Sequence, residues 1–144
     1  MSISTQITIP GTARDVWVVL TDLPSYPAWN PFIRKVEGRL EEGARWKAEL
    51  TLDGRLFFPV PTTITCWSPE KCLTWRGGIP AMMTGSHSFA LFENEGSVAF
   101  EQSESFSGRL VPIVSPLLVG ALSRRFVEMN EALKREVERR CRER

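Results

Sequence analysis

The sequence predicts an α+β domain in which a curved antiparallel sheet of about seven strands wraps one long C-terminal helix and leaves an apolar pocket between them. Three observations carry this expectation. The chain has 144 residues, a length that fits a single domain (1–144) burying roughly 70% of its unfolded surface. From about residue 33 to residue 106 it breaks into strand-length pieces separated by turn residues, the pattern of an antiparallel meander. Beyond Pro112 or Pro116, Leu118, Leu122, Phe126, Met129, Leu133 and Val137 recur at steps of 4, 4, 3, 4 and 4, one continuous apolar stripe on a helix of some 25 residues.

The elements follow in order. Ile3, Thr5, Ile7 and Ile9 alternate with polar neighbours and predict a half-buried strand over 2–9. Thr12-x-x-Asp15 has the form of a capping box, and Val16, Val19, Leu20 and Leu23 continue at helical spacing, so a short helix starts there. Pro24, Pro27 and Pro31 break the next stretch into turns and short helical pieces, giving two short helices between the first and second strands. They leave Tyr26, Trp29 and Phe32 on a candidate pocket rim. Trp46, Ala48, Leu50 and Leu52 then alternate with Lys47, Glu49, Thr51 and Asp53. Asp53-Gly54 predicts a two-residue type I′ hairpin onto a strand over 55–67, with a bulge near Pro59–Pro61 because proline cannot donate to a ladder. Further strands are expected over 72–76, 84–92 and 98–106. The long helix starts at Ser115-Pro116 or earlier, at Pro112, and Glu131–Arg135, Glu136–Arg140 and Glu138–Arg142 are spaced as ion pairs on a solvated face.

Composition excludes several classes. Lys plus Arg total 18 against 17 Asp plus Glu, a net charge of +1 with no field for gathering nucleic acid. No apolar run reaches the length of a membrane span, and the N-terminus lacks a basic region followed by an apolar core, so no integral membrane association and a cytoplasmic location are expected. Cys66, Cys72 and Cys141 follow no zinc spacing and His87 is the one histidine, so neither a metal site nor a cofactor is expected. Cys66 and Cys72 flank the turn at 68–71 and approach across two strands as reduced thiols.

A sheet that curls round a straight helix diverges from it somewhere, and the divergence is a cavity. On one late strand His87, Phe89 and Leu91 share a face; on the next, Phe100, Gln102, Glu104 and Phe106 do. With the aromatics inward, His87, Gln102 and Glu104 come to the same side and form a polar pole in an apolar cup. The pole either orients a ligand or is a satisfied structural network, and the sequence leaves both open. Leu118, Leu122, Phe126 and Met129 form the expected helix wall. Most of the five tryptophans are core candidates, with Trp29 the exception because of its proline-broken segment.

Val16-Trp17-x-Val19-Leu20-Thr21-Asp22 and Tyr26-Pro27-x-Trp29-Asn30-Pro31-Phe32-Ile33 resemble the N-terminal signature of the START-like SRPBCC superfamily, in particular its polyketide cyclase/dehydrase-like branch. His87-x-Phe89-x-Leu91, Glu104-x-Phe106-x-Gly108 and Phe126-x-x-Met129-Asn130-x-x-Leu133-Lys134 are similar to the C-terminal half of that branch in order and spacing. The resemblance implies a helix-grip fold with a deep apolar cavity. It carries no universal catalytic motif onto this chain.

Three functions are compatible with these residues. The leading one is binding or carriage of a small hydrophobic molecule, such as a lipid, polyketide or aromatic metabolite. The second is a cyclase, dehydratase or hydrolase in which His87 acts as general base and Glu104 orients it or carries a proton. The third is a protein-interaction module, which a filled core would favour. A monomer and a homodimer are both compatible with the sequence.

Overall fold

The computed structural model describes residues 1–144. Strand β1 (Ser2–Pro10) turns its alternating isoleucines inward and leads into α1 (Ala13–Thr21). The capping box is formed in full: Thr12 Oγ1 accepts from the Asp15 N–H at 3.2 Å, and Asp15 Oδ2 accepts from the Thr12 N–H at 2.9 Å. That backbone donor is the chief reason the Asp15 carboxyl sits below its ordinary range. A 3-10 turn (Leu23–Ser25) and α2 (Tyr26–Trp29) follow, so the two expected short helices are present with an extra turn between them. Asn30 Oδ1 then accepts from the N–H groups of Phe32 and Ile33 at 2.9 and 2.8 Å, ending the helical stretch and launching β2 (Ile33–Glu37).

The remaining strands are β3 (Arg45–Thr51), β4 (Phe57–Ser68), β5 (Cys72–Ile79), β6 (Met83–Asn94) and β7 (Ser97–Ser107). They make one antiparallel sheet in the order β1-β7-β6-β5-β4-β3-β2. The helical connection between β1 and β2 therefore joins the two edges of the sheet, while everything from β2 to β7 is a meander.

Two local expectations are corrected. Asp53-Gly54 is not a two-residue I′ turn: Gly54 has φ +84° but Asp53 is not in the left-handed region, and β3 and β4 are joined through 52–56. Asp53 Oδ1 accepts from the N–H groups of Arg55 and Leu56 at 2.8 and 2.9 Å, and the Thr51 hydroxyl accepts from the Gly54 N–H at 2.8 Å. The side chains thus build a wider loop, and they bury Thr51 although alternation puts it outside. The I′ geometry occurs instead between β6 and β7, where Glu95 and Gly96 have φ +42° and +84° inside an Asn94–Ser97 pair. Finally, no bulge forms at Pro59–Pro61. The β3–β4 register is continuous through both prolines, while β4 meets β5 only from Thr62 onward, so the imino nitrogens lie where no β5 acceptor is lost; the register shift falls between Ile64 and Cys66.

Helix α3 (Val111–Arg142) runs 32 residues, longer than expected, because Pro112 occupies its first turn and Pro116 lies within it. Its stripe is buried at Leu122, Phe126, Met129, Leu133 and Val137, in one core cluster with Ile3, Leu20, Trp46 and Phe100. The basic end is solvated at Arg139, Arg142 and Arg144, as expected, and it also makes ion pairs off the helix. Arg140 reaches Asp22 at 3.0 Å and Arg144 reaches Asp15 at 2.8 Å, pinning α3 to the α1 segment. Of the three spaced pairs only Glu136–Arg140 forms, at 2.8 Å. Arg139 also binds Glu136, at 2.7 Å, and its hydrogen bond is the main cause that draws the Glu136 carboxyl down to about 2. Cys66 and Cys72 meet across β4 and β5 as free thiols with sulfurs 2.9 Å apart. No helix is long and apolar enough to cross a membrane.

Candidate functional site

Between the N-terminal half of α3 and the β3–β7 part of the sheet lies a cavity of about 250 Å³. Leu50 and Leu52 come from β3 and its loop, Phe58, Val60 and Thr62 from β4, Trp75 from β5, and Leu118 and Leu122 from α3. The alternation of each strand explains the lining, because positions 58, 60 and 62 share one face of β4. Three glycines, Gly77, Gly78 and Gly85, line the strand side. A Cβ at Gly85 would stand 3.1 Å from the Phe106 ring and 3.3 Å from Glu104 Oε1, inside the space itself.

His87 and Glu104 form the polar part of the wall. They lie directly opposite one another on β6 and β7, with Nδ1 3.7 Å from Oε2, a charge-pair distance too long for a hydrogen bond. His87 is 3% exposed, and its ring stacks on Trp75 at 4.7 Å between centroids with the edges of Phe89 and Phe126 against it. The other nitrogen is held by a chain of hydrogen bonds whose directions are fixed by its far end. The Thr5 hydroxyl donates to the Gln102 carbonyl at 3.3 Å, and Asn130 Nδ2 donates to Thr5 Oγ1 at 2.9 Å. Asn130 Oδ1 is left to accept from Gln102 Nε2 at 2.8 Å, and the same nitrogen reaches the Phe126 carbonyl at 3.4 Å. Gln102 Oε1 therefore faces His87 Nε2 at 3.0 Å, and that nitrogen is the donor.

This assignment has a chemical consequence. With Nε2 protonated, a neutral imidazole presents the Nδ1 lone pair to Glu104, and two acceptors repel. Glu104 Oε2 is buried against His87 with no hydrogen-bond partner in the protein, and Oε1 stands on the cavity side beside Gly85. The site thus offers an acceptor aimed at an otherwise apolar space.

The sequence-derived site residues divide into three groups. His87, Glu104, Leu118 and Leu122 line the cavity. Gln102, Phe89, Phe126 and Met129 stand behind it, each fully buried in the core. The lower half of the expected helix wall is closed because aromatic rings fill the space there, with Phe32 5.5 Å from Phe126 and Phe89 5.5 Å from Phe100. The proposed rim, finally, is not a rim. Tyr26 is buried and its hydroxyl donates to the Leu20 carbonyl; Phe32 is a core ring 6.0 Å from His87. Trp29 lines a separate open groove with Ala28, Ala132 and Arg139, its indole N–H donating to Ser25 Oγ at 3.1 Å.

Sequence reasoning missed the opposite wall. Leu50, Leu52, Phe58, Val60, Met83 and Phe106 belong to it, and the signal available was the pair of alternating runs facing each other across Asp53-Gly54, together with Gly85 inside a predicted strand. No group of three or more His, Cys, Asp or Glu side chains is arranged to hold a metal ion.

Residues 1–138 match the family described as polyketide cyclase / dehydrase and lipid transport. No curated protein matches the sequence. Among solved structures, the Zhui aromatase/cyclase from Streptomyces sp. R1128 superposes with a TM-score of 0.80 at 18% identity, covering 98% of this chain and 95% of that one. A START superfamily protein from Mycobacterium smegmatis gives 0.77 at 14% identity, covering 96% and 97%. At such identities the two structures establish a shared fold, the seven-stranded sheet gripping a long C-terminal helix, while the match over 1–138 establishes descent. The chain belongs to the polyketide cyclase / dehydrase and lipid transport family.

Proposed function

We propose that this protein binds or carries a small, mostly hydrophobic molecule in the cavity between α3 and the sheet. The observation that carries the reading is the cavity itself, about 250 Å³ of mainly apolar lining with one buried His–Glu pair on its wall. Small-molecule sites have this composition: apolar surface supplies affinity and a few placed polar atoms supply orientation. A ligand bound only by the folded state raises the melting temperature with concentration. A thermal-shift screen over neutral lipids, sterols, flavonoids and quinones is expected to give a dose-dependent rise for at least one class. No rise with any of them overturns the reading.

A second reading, an enzyme of the cyclase or dehydratase type, is favoured by the fixed orientation of His87. An imidazole held by Gln102 on one nitrogen and facing a carboxylate with the other is arranged to take a proton from a bound substrate and return it. Ordinary turnover by His87→Ala combined with Glu104→Gln would eliminate this mechanism while leaving carriage intact.

A further inference from the structure

The polar wall of the cavity restricts its ligand further than apolar lining does, and the restriction rests on the proposed binding role. No lysine or arginine lines the space. The ionisable side chains on the wall are His87 and Glu104, and the two His87 nitrogens face Gln102 and Glu104, so a carboxylate or phosphate entering the cavity would meet a carboxyl group and no free cationic side chain. Glu104 Oε2 is buried against His87 without a hydrogen-bond partner, and Oε1, 3.3 Å from where a Gly85 Cβ would stand, is the carboxyl oxygen on the cavity side. The site is therefore short of a donor. Its size is also limiting: a dry apolar cavity of about 150 Å³ holds one benzene ring, so about 250 Å³ suits a molecule of about ten non-hydrogen atoms.

From these three observations we infer that the ligand is an uncharged compound of one or two rings, or a similarly compact aliphatic, that carries a hydroxyl or equivalent donor at one end. The donor hydrogen-bonds to Glu104, and the apolar body lies against Leu118, Leu122 and Phe58. Glu104 is then the specificity-determining residue, selecting alcohols and phenols over hydrocarbons of the same shape and rejecting acids.

The test uses three probes of one skeleton, 2-naphthol, 2-methylnaphthalene and 2-naphthoate, titrated into the intact protein at pH 7.5 and followed by tryptophan fluorescence. Naphthol is expected to bind at least about tenfold more tightly than methylnaphthalene, a ratio typical of a hydrogen bond to a charged group, and naphthoate more weakly than either. Glu104→Leu is expected to bind naphthol and methylnaphthalene alike, and its retained affinity for methylnaphthalene reports that it is folded. Glu104→Gln keeps an acceptor oxygen and is expected to retain a preference for naphthol. Equal affinities of wild-type protein for naphthol and methylnaphthalene, or tightest binding of naphthoate, overturn the donor inference while the binding role stands. A naphthol preference that survives Glu104→Leu overturns the assignment to Glu104. Failure of all three probes to bind overturns the inference, while the binding role is decided by the thermal-shift screen.

Discussion

His87 and Gln102 are joined by a 3.0 Å hydrogen bond although they are not opposite each other in the sheet. His87 pairs with Glu104 and Gln102 pairs with Phe89, so the bond runs diagonally between β6 and β7. Gln102 also reaches Asn130 on α3, and its hydrogen bonds thus tie the wall of the cavity to the gripped helix.

The first expectation concerns that tie. Gln102→Leu removes the acceptor of His87 Nε2 and the donor to Asn130 Oδ1, leaving two buried polar atoms unpaired. Each costs about 1–3 kcal/mol when orphaned, so urea unfolding is expected to show a loss of about 2–4 kcal/mol. A change below about 0.5 kcal/mol would mean that the network is not a structural joint.

Gly85 offers a way to fill the cavity with little disturbance. Gly85→Val places its branches beside Phe106 and Glu104 Oε1, and a carboxylate end and a half-buried ring can both give way. Ligand affinity is expected to fall at least tenfold while stability stays within about 1 kcal/mol of the parent. Undiminished binding would locate the ligand elsewhere.

Stability at acid pH should depend on Glu136. Its carboxyl is lowered to about 2 in the folded protein, first by the hydrogen bond from Arg139. A depressed carboxylate stabilises the fold above its unfolded value near 4.3 and loses that contribution as pH falls through the folded value. Glu136→Gln is accordingly expected to cost about 1 kcal/mol at pH 7, discounted because Arg139 is half exposed. The deficit should shrink between about pH 4.5 and pH 2 and vanish below that. A deficit independent of pH would assign the loss to packing.

The thiol pair gives a chemical check on β4 and β5. Burial, followed by the neighbouring Cys66, pushes the Cys72 thiol up to about 11. Since the thiolate is the reactive form, alkylation of Cys72 by iodoacetamide, followed by peptide mass spectrometry, should still be accelerating at pH 10. A rate that levels off near pH 8.5 would contradict the burial.

What could be read from the sequence followed the strength of each local signal. The α3 stripe, the Thr12–Asp15 capping box and the inward set of β1 are properties of single elements, and all three are in place. His87, Gln102 and Glu104 were legible as one cluster because period two fixes their side once the aromatics face inward. The wall formed by Leu50, Phe58 and Val60 was not, because it depends on how far β3 and β4 stand from α3, and no local pattern encodes that distance. Tyr26 and Phe32 misled for a related reason. A proline-broken segment is a frequent place for a rim, yet here Asn30 caps the turn inward and both rings complete the core.

The location of the ligand can be measured directly by intermolecular NOEs between 2-naphthol and the side-chain methyl groups of the 144-residue protein. Contacts are expected at Leu52, Val60, Met83 and Leu122, which line the cavity, and none at Ala28 or Ala132, which line the groove beside Trp29. Contacts confined to Ala28 and Ala132, or no methyl contacts at saturating naphthol, would contradict a ligand held between α3 and the sheet.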